Sequence, residues 1–135
     1  MKYSFLFILL FNGLCYSQTH NVDPVTKLVS NFHAQYTFRN ACSYDNDLKR
    51  QYNNISGEFI IIIKVGQDGS GTLITYIGEK KLWNILSCHK YDGYYEFELQ
   101  KPYGGEFPGI LRFNKYIDKF YITNPTDNTS VVLFN

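Results

Sequence analysis

A mostly β, α+β domain is what this sequence predicts: an N-terminal helix followed by a seven-stranded antiparallel meander, strongly curled or barrel-like. Three observations lead there. Apolar residues between Pro24 and Tyr36 recur at helical spacing, and from Gly57 onward the period falls to two. The apolar runs after Gly57 are also separated by turn signals too short to hold the crossovers of a parallel sheet. At 135 residues the chain has room for one domain. With 18% aromatic and 19% charged residues it resembles chains that pack a core, not chains that stay disordered.

Met1–Ser17 reads as a secretory signal peptide. Lys2 supplies the charge, Phe5–Phe11 the apolar run, and Cys15 and Ser17 the small side chains before a cleavage point. That run is shorter than the roughly 18–20 residues of a spanning helix, and Leu14 stands where a lipobox needs a small residue before Cys15. The expected organisation is a signal segment at 1–17 and a single mostly-β domain at 18–135, secreted or periplasmic. Loss of Lys2 leaves twelve basic against twelve acidic residues, so no bulk charge is available to grip nucleic acid. No membrane span is expected in the mature chain. Cys42 and Cys88 remain as an even pair in an exported protein, the usual setting for a disulfide. Such a bridge would contribute about 4 kcal/mol on the chain-entropy account.

Each element follows from local chemistry. Asp23-Pro24 is a helix start, since Asp caps free amides and Pro suits the first turn. Val25, Leu28, Val29, Phe32 and Tyr36 then form one stripe, predicting a helix from Pro24 to between His33 and Phe38; His33–Asn40 has strand character as an alternative. Asn40–Ser56, polar and rich in Asn and Asp, reads as an irregular connection. Glu58–Val65 is a β-branched run suited to a strand buried on both faces. Gln67–Gly71 turns into a strand at Thr72–Ile77, and Glu79-Lys80 turns into another at Lys81–Lys90. Asp92-Gly93 is a tight-turn dipeptide before the cleanly alternating Tyr94–Gln100. After the Pro102–Gly109 loop, Ile110–Asn114, Lys119–Thr123 and Ser130–Phe134 complete seven strands. Gly57-Glu58-Phe59 parallels the Gly-x-Trp at the opening strand of lipocalins, but Phe59 replaces the Trp and no family is assigned.

Catalytic signatures fail on spacing. His20, His33 and His89 form no metal-binding pattern, and no cofactor or metal is expected. Asp45-Asn46-Asp47 opens like a calcium loop, but Arg50 and Ser56 occupy the places that need Gly and Glu. No nucleophile elbow, P-loop or dinucleotide fingerprint occurs. Glu96 and Glu98 share a strand face about 6.5–7 Å apart, which is the basis of an alternative reading as a small hydrolase with paired carboxylates. Asn54-Ile55-Ser56 and Asn128-Thr129-Ser130 are formal glycosylation sequons.

Aromatic excess points elsewhere. Nineteen Tyr, Phe and Trp residues follow Ser17, more than a core burying roughly two-thirds of the chain's surface readily absorbs. The expected function is a secreted, non-catalytic binding module using aromatic residues on a sheet face or in a barrel interior. Its partner would be a protein, a glycan or a small apolar ligand, contacted by Tyr94, Tyr103, Phe107 and Tyr121.

Overall fold

The structure, a computed structural model, describes residues 21–101, 109–114 and 118–135. Met1–Ser17, Tyr103 and Phe107 lie outside them, and with them the signal-segment expectation. The described residues form strands and turns, with no helix among them. Two short strands, β1 (Asn21–Val22) and β2 (Val29–Ser30), pair with each other. Eight more follow: β3 (Phe32–Asp45), β4 (Arg50–Val65), β5 (Gly71–Ile77), β6 (Glu79–Tyr91), β7 (Tyr94–Gln100), β8 (Gly109–Asn114), β9 (Lys119–Asn124) and β10 (Thr129–Phe134). Each pairs antiparallel with its chain neighbour, and β10 pairs back onto β3 to close a barrel.

Barrel-like curvature and the antiparallel meander are therefore observed, but the strand count and the helix are corrected. A closed meander of seven strands would bring its first and last strands together pointing the same way. The eighth strand makes the closing pair antiparallel, and it comes from the segment expected to be helical. Asp23 does begin a turn: its Oδ1 accepts from the amides of Val25 (2.8 Å) and Thr26 (3.0 Å), and its carbonyl accepts from Lys27 N–H (2.8 Å). Lys27 then takes φ 68° and Asn31 φ 56°, a left-handed geometry that a right-handed helix cannot extend through. Beyond it Phe32, Ala34, Tyr36 and Phe38 turn inward while His33, Gln35 and Thr37 are exposed. Leu28, Phe32 and Tyr36 are spaced by four, which satisfies both a helical stripe and an alternating strand; ladder bonds on both edges of β3 decide between them.

A second correction concerns Asn40–Ser56. It is not an irregular connection but the paired arms of β3 and β4 around a turn at residues 46–49. Asp45 Oδ1 holds that turn by accepting from Asp47 and Leu48 amides at 2.9 and 3.0 Å. Register shifts at Phe38/Asn40 and Ala41/Ser43 bend β3 around the barrel. Gly71 opens β5 where a Cβ would stand 1.8 Å from the Lys64 carbonyl oxygen, so only glycine fits.

Inside, one half of the barrel is filled by rings. Phe113 stacks on Tyr95 (4.6 Å between centroids) and Phe97 (5.3 Å) and meets Phe120 edge-on at 4.7 Å. Phe32, Tyr36 and Phe38 complete the cluster from β3. The β1–β2 hairpin, in place of the expected helix, plugs the same end. Val29 is fully buried and Val22 packs on the core. The hairpin is stitched to the barrel by Lys90 N–H donating to the Lys27 carbonyl, and Asn31 N–H to that of Gly66, each at 2.9 Å. Outward-facing positions include Lys64, Glu98 and Arg112, all exposed.

The expected disulfide is absent: Cys42 and Cys88 are free and buried. Cys42 on β3 lies opposite Val132 and lines an outer depression with Tyr44 and Tyr121. Cys88 on β6 lies opposite Phe97 in the core. The two strands are separated by β4 and β5 around the wall, and the thiols face opposite sides of it. Reductant is accordingly expected to leave the melting temperature unchanged, with the Cys88 thiol alkylated only on unfolding; a drop in melting temperature on reduction would contradict the fold. Phe113→Ala is expected to destabilise by about 3–5 kcal/mol in urea unfolding.

Candidate functional site

Alternation along each strand decides what the barrel encloses. On β5, Leu73, Thr75 and Ile77 point inward, and on β6 Lys81, Trp83 and Ile85 are paired across from that face. Toward the plugged end the inward residues are Phe32, Phe97, Phe113 and Phe120, all buried. Toward the other end Ser43, Thr75 and Gly109 are small inward residues that leave space beside Ile77, Trp83, Ile122 and Val131. The result is a cavity of about 340 Å³ at the barrel mouth, within the size range of small-molecule sites.

Its walls are mixed. Ile77, Trp83, Ile122 and Val131 supply apolar surface, and Ser43, Thr75, Asn124 and Thr129 supply polar groups. Thr75 is only 2% exposed. Trp83 reaches beyond the end of β7 toward β8, where a Cβ on Gly109 would lie 3.8 Å from its Cζ3. The indole Nε1–H of Trp83 is buried and finds no acceptor among the described residues, an arrangement that costs about 1–3 kcal/mol when nothing compensates it. Lys81 and Lys101 stand at the rim, and among the described lining residues there is no carboxylate. Glu79 approaches Lys81 at 3.9 Å, with both side chains mostly exposed.

The sequence-predicted ligand residues are placed elsewhere. Tyr94 and Tyr121 lie on the outer wall, where with Arg112 they line a separate groove of about 460 Å³; Tyr94 contacts Tyr91 at 5.3 Å. The structure thus brings two of the four together, outside the barrel, and does not describe Tyr103 or Phe107. Glu96 and Glu98 are also on the outer wall. Glu96 pairs with Arg112 at 2.9 Å, and Glu98 accepts from the Ser87 hydroxyl at 3.4 Å. No group of three His, Cys, Asp or Glu side chains able to hold a metal occurs among the described residues. Lys81, Trp83 and Thr75 were not singled out by sequence reasoning. The available signal was the alternation Lys81-x-Trp83-x-Ile85, with the chain's one Trp on the core-facing register.

No protein-family model, curated protein or solved structure matches the chain, so geometry alone carries the functional reading. Among the described residues no helix is long and apolar enough to cross a membrane.

The filled half has its own electrostatic signature. Burial pushes the Cys88 thiol well above its ordinary value of 9.0. Burial, reinforced by the nearby Tyr95 hydroxyl, does the same to Tyr36 relative to 10.0. Both groups ionise in the unfolded chain before they do so in the barrel. The unfolded state therefore holds fewer protons once pH exceeds these ordinary values. Stability should be fully present below about pH 9 and fall as pH rises beyond it. Urea midpoints measured from neutral to strongly alkaline pH check this, and Cys88→Ala should flatten the early part of the fall.

Proposed function

We propose that this chain is an exported, non-catalytic binding module that takes a small, largely apolar ligand into the open end of its barrel. The observation that carries the reading is the asymmetry of the interior. One end is plugged by the β1–β2 hairpin and filled with rings, while the other encloses about 340 Å³. A barrel needing only stability would gain by filling that volume, because unfilled apolar space forfeits packing contacts. Ile77, Ile122, Val131 and the Trp83 ring offer an apolar ligand the surface it needs. Export rests on Met1–Ser17 alone.

A second reading, capture of a protein or glycan on the outer wall, is favoured by Tyr94 and Tyr121 sharing a groove with Arg112. The paired-carboxylate hydrolase has less support, since Glu96 is already engaged by Arg112. Trp83, the only tryptophan, makes the first reading measurable without a label. Decyl compounds titrated into the protein should change Trp83 emission saturably, at one ligand per chain. Thr75→Phe, with its fold checked by circular dichroism, should abolish the response, whereas Tyr94→Ala and Tyr121→Ala should leave it intact. No saturable response to any decyl compound would overturn the proposal.

A further inference from the structure

The mouth cavity carries more chemistry than an apolar chain needs. Resting on the reading of that cavity as the ligand site, we infer that its ligand bears an anionic, carboxylate-type head group as well as an apolar body. Three independent features converge. Lys81 and Lys101 are the charged residues among the described lining, and both are cations. Trp83 Nε1–H is a buried donor with no acceptor among the described residues, and a ligand oxygen entering the mouth is well placed to satisfy it. Finally, the walls beside these groups, Ile77 and Val131, are apolar, so a purely polar anion would leave them unused.

The spacing lets one head group serve both kinds of donor. Lys81 and Trp83 are two residues apart on β6 and share its inward register. Their α-carbons are therefore about 6.5–7 Å apart, a separation the long lysine side chain spans. A carboxylate has two acceptor oxygens, one for the indole N–H and one for an ammonium group. Charge-assisted hydrogen bonds of this kind are stronger than neutral ones. Glu79 is the acidic group that approaches Lys81, at 3.9 Å and mostly in solvent; pairs so exposed hold their partners weakly, and Lys81 stays free to turn to the ligand. A neutral head group would forgo the lysines, and a quaternary ammonium would be repelled by them.

The test compares decanoate, decanol and decyltrimethylammonium on the full chain at neutral pH, by Trp83 emission and by calorimetry. Decanoate should bind about tenfold more tightly than decanol, with decyltrimethylammonium weakest. The exposed double variant Lys81→Gln/Lys101→Gln should bring decanoate down to the level of decanol and leave decanol unchanged. Trp83→Phe, followed by calorimetry, should weaken decanoate more than decanol. Equal binding of decanoate and decanol, or preference for the cation, overturns the head-group inference while leaving a small-ligand site in place. Failure of all three compounds to bind overturns both.

Discussion

Six consecutive residue pairs, from Thr129↔Asp45 to Phe134↔Asn40, join the last strand to the first long one and leave the sheet without a first or last strand. Antiparallel pairing at that seam requires an even number of strands in a meander, so Phe32–Asp45 must be extended. Once it is, Phe32, Tyr36 and Phe38 are carried to the inner wall, where they meet Phe113 and Phe120. Cys42 is carried to the outer side of the same strand. The seam thus decides the core, the fate of the cysteines and the position of the hairpin that precedes β3.

The two halves of the interior differ because inward side-chain size changes along the barrel axis. Rings that stack and meet edge-on fill the plugged half, where aromatic geometry adds to the effect of area removed from water. At the mouth, Ser43, Thr75 and Gly109 occupy the equivalent inward register, between the larger side chains of Ile77, Trp83 and Ile122. A cavity follows from that gradient without any special loop. The buried indole N–H and the two rim lysines add donors and positive charge to a cavity whose walls are otherwise uncharged.

Much of the fold was legible. Period-two alternation from Glu58 onward, the Asp92-Gly93 turn and the short gaps near residues 115–118 and 125–128 all pointed to antiparallel strands, and β4 to β10 correspond to them. Gly93 adopts φ 89°, as a two-residue turn of this kind allows. The candidate site was less legible. Tyrosines near turns attracted attention because they suit recognition surfaces, yet Tyr94 and Tyr121 face outward. The groups that line the cavity are ordinary on a strand: a lysine, a threonine and an isoleucine become a site only when eight strands bring them to one opening.

Local chemistry alone sufficed for the antiparallel order after Gly57, for the inward face of Tyr95, Phe97 and Leu99, and for a capped turn beginning at Asp23, although not for the helix expected to follow it. Those properties are set by neighbours a few residues apart, where steric preference and alternation act directly. Pairing between distant segments makes Phe32–Asp45 a strand, holds Cys42 and Cys88 apart and leaves the mouth open around Trp83. Each of these depends on which strand lies across from which. That depends in turn on closure of the whole sheet, which no local window contains.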